Sequence, residues 1–532
     1  LISPEARHVE ARDKRTGMEE PRLFAEEAMA RATASRRIDG NHLLLQFDGP
    51  STFDSWLEAI ARARTFVHFE NYILRDDDIG RQFREALTER ARAGVQVRVL
   101  HDWMGCWATP RRFWRPFREA GVEVRAFNPP TIRDPFGLLQ RDHRKLVVVD
   151  GEVAFIGGFC VGQEWAGTRT DPPWRDTGVE IRGPAVAHAA RTFQRIWAEL
   201  GSPVPSELDE EPDTVPAQGD TPVWLIEGLP WRSRVYRATQ LLSSLARERI
   251  WITDPYFVAP RPVAEALMAA ARDGVDVRIL LPAHNNWPLV GRVSRGGYRA
   301  LLEAGVRIFE WEGPMIHAKT SVIDGTWSRI GSSNLNASSL LGNWELDVGV
   351  LDRGMAAQVE ALFLADLTSS VEIVLPGRER DSAGARRRVP SDTLPGEFGG
   401  PSDAEGSDRP GHGVTSLDQE GSFQERWRAW TRSPPGSKTL TLADLVRAGS
   451  SLGDSIAGRR VVGPEDRVVL GTTAALLLGG ALLAAFLPRL VGWSLAVILG
   501  WLGLVLGVRA VLQAWRARHE PPGTDPGEKG GE

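Results

Sequence analysis

RDHRKLVVVDGEVAFIGG (141–158) and MIHAKTSVIDGTWSRIGSSN (315–334) carry one pattern twice: His-x-Lys-x-x-x-x-Asp, then Gly-Gly or Gly-Ser at the same offset. The residues are His143, Lys145, Asp150 and Gly157-Gly158 in the first copy, and His317, Lys319, Asp324 and Gly331-Ser332 in the second. The 532-residue chain holds 10 histidines and only five lysines, yet two of those lysines fall inside the motifs. Arginine supplies nearly all the other positive charge, so the motifs call for a compact ammonium, as many phosphate sites do, rather than a flat guanidinium fork.

The repeat extends outward from the motifs. FVHFENYIL (66–74) matches IWITDPYFV (250–258), ARAGVQVRVL (91–100) matches ARDGVDVRIL (271–280), and REAGVEVRAF (118–127) matches LEAGVRIFEW (302–311). Each half reads strand, helix, Gly turn, strand, helix, Gly turn, strand, and then the motif strand. That is the α/β pattern of a largely parallel or mixed sheet covered by helices. The offset between copies is far too long for a solenoid, so a whole domain is duplicated. The expected layout is a charged extension (1–39), a first domain (40–200), an acidic Pro-rich linker (201–222) and a second domain (223–375). A Gly/Pro/Ser/Arg-rich tether (376–466), an apolar hairpin (467–509) and a polar tail (510–532) follow.

Val468–Leu487 and Leu490–Val508 are uncharged runs separated by Pro488-Arg489. Each is long enough as a helix to cross a bilayer core, which predicts a transmembrane helical hairpin. Arg459, Arg460 and Arg467 precede it and Arg509, Arg516 and Arg518 follow, against Arg489 alone in the turn. Both ends, and the N-terminal body with them, are therefore expected on the cytoplasmic side. The net charge of −5 argues against a nucleic-acid partner. Cys106 and Cys160 cannot form a disulfide framework and fit a reducing compartment.

On a strand, His143 and Lys145 point to one face, as do His317 and Lys319, while Asp150 and Asp324 come at the strand end, where Asp-Gly begins a turn, and are counted with the catalytic residues of the motif. If the halves pack about a pseudo-twofold axis, two imidazoles and two ammonium groups converge on one small volume. One imidazole can attack phosphorus and hold it as a phosphohistidine, while the other protonates the leaving alkoxide and later takes a proton from the next alcohol. The lysines, with Ser332 and Asn334, would neutralise the phosphoryl oxygens. Neither metal nor cofactor is called for; Asp76-Asp77-Asp78 lacks supporting ligands and reads as a solvated loop. His101-Asp102-Trp103 and His284-Asn285-Asn286-Trp287 follow equivalent strands and are placed to shape a substrate channel. Trp103, Trp107, Trp114, Trp287 and Trp311 are candidates for an apolar mouth at a membrane interface.

The paired motifs resemble those of the phospholipase D superfamily. PPWRDTGVEIRGPAV (172–186) and IGSSNLNASSLLGNWELDVGV (330–350) are similar to its bacterial cardiolipin synthase branch, over about residues 40–374. The resemblance implies two tandem αβα sandwich domains with one shared site and no metal. It also implies ping-pong phosphatidyl transfer between two phosphatidylglycerol molecules at a bacterial inner membrane. It assigns the nucleophile to His143 and acid/base work to His317, with a carboxylate from each half, Asp176 and Glu345, orienting the histidines. Cys160 stands where the second half has Asn334, so the half-sites are not equivalent. The competing readings are a phospholipase D releasing phosphatidic acid, a phosphodiesterase acting on nucleic acid, and a non-catalytic scaffold.

Overall fold

The computed structural model describes residues 26–130, 140–205, 215–232, 234–375 and 386–388. The first half supplies β1 (Ile38–Gln46), β2 (Phe66–Asn71), β3 (Gln96–Asp102), β4 (Glu123–Phe127), β5 (Lys145–Val149), β6 (Val153–Gly157) and β7 (Gly178–Arg182). The second supplies β8 (Thr221–Gly228), β9 (Arg249–Thr253), β10 (Asp276–Pro282), β11 (Arg307–Trp311), β12 (Thr320–Ile323), β13 (Trp327–Gly331), β14 (Glu345–Leu351) and β15 (Ser370–Ile373).

Read outward from the β1–β8 junction, the first half runs β1-β7-β6-β5-β2-β3-β4 and the second runs β8-β14-β13-β12-β9-β10-β11. The two orders are the same order twice. In each half three strands are parallel (β2, β3, β4 and β9, β10, β11) and the motif strand joins them antiparallel, so the sheet is mixed. The halves meet where β1 and β8 pair antiparallel, Ile38 opposite Val223 and Asn41 opposite Thr221, across a register shift.

The motif strands are apolar without alternation, KLVVV in β5 and VAFIG in β6, and every residue in them is buried. Strands covered on both faces read this way. Val147, Val149, Val153 and Phe155 face an outer cluster with Phe53, Trp56, Phe83 and Leu87 of the helices Gly49–Arg62 and Asp78–Arg92. Leu146, Val148, Ala154 and Ile156 face the other way, into a central cluster shared with Ile330, Leu346 and Val348 of the second half. The helices Ala185–Glu199 and Arg353–Leu367 fill that middle layer. A third cluster repeats the outer arrangement beneath the helix Arg261–Arg272.

Three expected boundaries differ in detail. Met29, inside the expected extension, is buried with Trp224 and Ile226 of the second half, so part of that segment belongs to the body. The end of the expected linker is built into the middle of the sheet, where the halves meet: the Gln218 amide donates to the Gly40 carbonyl at 2.9 Å and β8 starts at Thr221. Residues Arg386–Arg388, within the expected tether, pair antiparallel with β15. Among the described residues no helix is long and apolar enough to cross a membrane. The expected hairpin at 467–509 and the tail lie outside them.

Candidate active site

His143 precedes β5 by two residues and His317 precedes β12 by three. Each short segment before the strand is held by the opposite half. The His143 amide donates to the Trp344 carbonyl at 2.9 Å, and the His317 amide donates to the Arg175 carbonyl at 2.6 Å. Trp344 is followed by Glu345 and Arg175 by Asp176, so this crossed pairing delivers each carboxylate to the other half's histidine. His143 Nδ1 lies 2.9 Å from Glu345 Oε2, and His317 Nδ1 lies 2.6 Å from Asp176 Oδ2. The Arg175 guanidinium is pinned to Asp366 of the second half at 3.0 and 3.2 Å, which fixes the Asp176 segment further.

The expected residues do converge. His143, His317, Cys160 and Asn334 line one cavity of about 160 Å³, together with Tyr72 and Tyr256. Lys145 donates to the His143 carbonyl and sits 5.1 Å from the centre of the Tyr72 ring. Lys319 lies against the imidazole of His317, its Nζ 2.8 Å from Nδ1 and 3.1 Å from Nε2. The two aromatic rings are equivalent in the repeat: Tyr72 meets His143 edge-on at 4.9 Å between centroids, and Tyr256 meets His317 at 5.8 Å. Sequence reasoning passed over these tyrosines, although both sit in the matched segments FENYIL and TDPYFV and the chain has only 4 Tyr.

Two expectations are corrected. Asp150 and Asp324 are not brought to the histidines. They lie at the far end of the motif strands, where Asp150 accepts the backbone amides of Arg64, Thr65 and Phe66 at 2.7–2.8 Å, and Asp324 those of Arg247, Glu248 and Arg249 at 2.8–2.9 Å. Both have positive φ, +52° and +49°, each followed by a glycine of positive φ. This is the tight hairpin that Asp-Gly favours, so these acids lock the entry of β2 and β9. Ser332 also differs from its expected role. Its hydroxyl donates to Glu345 Oε2 at 2.6 Å and accepts the Leu346 amide at 2.9 Å, so it positions the carboxylate instead of facing phosphate.

The half-sites are electrostatically unlike. Burial pushes Glu345 up to about 7, opposed by Lys145 and by the hydroxyl of Ser332; Asn343 donates to its other oxygen at 3.1 Å. Burial acts on Asp176 too, but Lys319 and His317 outweigh it and hold that carboxyl below the usual range, with Trp165 Nε1 donating to it at 2.8 Å. Burial and the adjacent Lys319 lower His317 to about 3, against the pull of Asp176. Burial also lowers Lys319, to about 8, with Lys145 adding to the effect. Cys160, at the place of Asn334, is a buried thiol whose pKa burial raises.

Residues 56–197 and 240–367 match the family model described as cardiolipin synthase, PLD-like domain. The chain belongs to this family. Like its phospholipase D-like relatives it is a phosphatidyltransferase, in tandem-domain form. It is similar to cardiolipin synthase A of Pseudomonas aeruginosa, 34% identical over 352 residues, or 65% of this chain and 71% of the relative. It is similar to cardiolipin synthase A of Pseudomonas putida, 35% identical over 364 residues, 67% and 75% of the two chains. The cardiolipin synthase of Halalkalibacterium halodurans is 34% identical over 336 residues, 61% and 66% of the two. Among solved structures, phosphatidylserine synthase of Haemophilus influenzae shares the fold, with a TM-score of 0.51 at 13% identity over 66% of this chain and 92% of that one.

In this cardiolipin synthase-family site the inner cavity adjoins a cleft of about 1420 Å³, with Arg75, Trp174 and Asn286 lining both. Arg112, Arg292, Arg295 and His284 supply cationic or titratable side chains along the cleft. The loop after β10 thus reaches the channel position expected of it, and Tyr256 ties it to the site by donating to Asn286 Oδ1 at 2.8 Å. The loop after β3 does so only in part: His101 and Asp102 are buried, while Met104, Gly105 and Trp107 line the cavity. Of the expected aromatic mouth, Trp107 and Trp287 line the cavity, and Trp114 and Trp311 are buried. Asp77 caps the helix Asp78–Arg92, its Oδ1 accepting the Gly80 amide at 2.9 Å.

Proposed function

We propose that the protein joins two phosphatidylglycerol molecules into cardiolipin, releasing glycerol, through a phosphohistidine on His143. The observation that carries this reading is the crossed pair of His–carboxylate couples on one cavity, with Lys145 and Lys319 beside them. His143 attacks through Nε2, because Nδ1 is engaged by Glu345; the new P–N bond replaces the P–O bond to glycerol, and the glycerol alkoxide takes its proton from His317. A second lipid's hydroxyl then gives its proton to His317 as its oxygen attacks phosphorus, and the P–N bond breaks to restore His143.

His317 must carry a proton in the first step, yet burial and then the adjacent Lys319 hold its pKa well below the ordinary imidazole value. An incoming phosphodiester anion would offset the Lys319 charge and raise His317, so the acid becomes competent when its substrate is bound. The adjoining cleft supports a lipid alcohol as acceptor, since it offers far more room than water requires. The apolar hairpin at 467–509 would anchor the protein in a bacterial inner membrane with the site on the cytoplasmic side.

The test is a product assay on the purified full chain in phosphatidylglycerol vesicles with a chelator present. Cardiolipin and glycerol should form in equal amounts. Phosphatidic acid as the sole product would replace this reading with hydrolysis.

A further inference from the structure

We propose that Trp231 is an interfacial anchor that seats the catalytic face on the bilayer, an inference resting on the lipid-substrate reading above. Among the described residues the large apolar side chains that stand exposed are Trp107 (62%), Trp231 (80%), Leu245 (51%) and Leu351 (37%). Their placement follows from strand register. Gly228 ends β8 directly opposite Glu345, the carboxylate paired with His143. The turn Leu229–Arg232 follows at once, closed by the Arg232 amide donating to the Leu229 carbonyl at 2.9 Å, and it presents Trp231 beyond the catalytic end of the sheet. Trp107 follows β3 and lines the cavity itself. Leu351 ends β14 at the end opposite Glu345, and Leu245 closes the helix Arg234–Leu245, which runs back from the Trp231 turn. Both exposed indoles therefore share one face, the face with the cavity.

Trp231 has a φ of +64°, a left-handed conformation that costs a bulky L-residue and that glycine or asparagine would hold with less strain. A strained backbone carrying an almost fully exposed indole, with no packing return inside the fold, points to a contact outside it. An indole combines a flat apolar body with one N–H donor and favours the boundary between headgroups and acyl chains. Exposed Arg111, Arg112 and Arg115 follow Trp107 in the chain, and exposed Arg232 and Arg237 follow Trp231. Exposed indoles with exposed arginines close by in the chain suit an anionic leaflet. Trp107 lines the cavity that a lipid phosphate would have to reach, which favours the bilayer over a protein partner.

The experiment compares the full chain on phosphatidylglycerol vesicles and on short-chain phosphatidylglycerol dispersed as monomers. Trp231→Gly relieves the left-handed strain, so folding is kept or improved, yet turnover on vesicles should fall roughly ten-fold. The rate on dispersed lipid should stay at wild type, and Trp231→Phe should recover part of the vesicle rate. An environment-sensitive dye on Trp231→Cys should shift to the blue when the protein meets anionic vesicles. Equal vesicle activity in Trp231→Gly, equal losses on both substrates, or a dye that shifts only when another protein is added would overturn the proposal. A wild-type protein inactive on both substrates would instead overturn the lipid-transfer reading, and the dye would still judge the anchor.

Discussion

The two half-sites come from the same strand order and the same eight-residue motif, yet they are set differently. The His317 couple is closed: its carboxylate is held ionised by Lys319 and the imidazole, and Trp165 donates to it. The His143 couple is softer. Its carboxylate titrates near neutrality and leans on small polar groups, Ser332 and Asn343. Duplication supplied symmetry of position, and the surrounding side chains removed symmetry of charge. A ping-pong reaction needs that inequality, because one imidazole must bond to phosphorus while the other carries the proton.

The largest effect expected from breaking the comparison is at the histidines. Alanine at His143 or His317 should lower turnover by at least roughly 10³-fold. The two variants should separate in a single-turnover experiment with labelled lipid: the acid-labile adduct is absent in His143→Ala and still detectable in His317→Ala. The opposite pattern would exchange the two roles.

Next come the carboxylates. Asp176→Asn should cost on the order of 10²- to 10⁴-fold in kcat, since it leaves an imidazole without its orienting anion. Glu345→Gln should cost clearly less, because Glu345 is already partly protonated near neutral pH. Equal losses would mean that the electrostatic contrast has no bearing on the reaction.

A third expectation concerns stability. Glu345 rises from 4.5 to about 7 on burial, so between those values the folded state holds a proton that the unfolded chain has lost. Stability therefore falls as pH rises through that window, by about 3 kcal/mol at most. Glu345→Gln removes this dependence, and the drop in Tm between about pH 5 and about pH 8 should be smaller than in the wild type. An unchanged drop would place the titration elsewhere.

The smallest effect tests where the halves are alike. Asp150→Ala and Asp324→Ala each remove the carboxylate that accepts three backbone amides and should destabilise by roughly 1–3 kcal/mol, similarly in both halves. Denaturant midpoints should shift while kcat of the folded enzyme stays within a few-fold. A large loss of kcat in stable protein would return these acids to the reaction.

Much of this was legible in the chain. Apolar β5 and β6, the Gly turns and the matched segments announced two α/β halves, and the His-x-Lys spacing announced residues on one face. Which half each carboxylate would serve was not legible, because it depends on the segments before His143 and His317 hydrogen-bonding across to Trp344 and Arg175. Asp150 and Asp324 were read at the strand-end turn where they do lie, but were counted as catalytic because recurrence in a motif marks a constraint without saying whether it acts on substrate or on backbone. Their Asp-Gly context did carry the turn. Ser332 was misread for a related reason: its position beside Asn334 is visible in sequence, but the direction of a hydroxyl is not.

The exchange of carboxylates between halves also bears on what a severed chain could do. A cut between residues 206 and 214 would leave each fragment with an imidazole but without the anion that holds it, so neither fragment should turn over substrate alone. Mixed together, the fragments should regain catalysis only as far as they reassociate, and activity should then rise with the square of concentration in dilute solution.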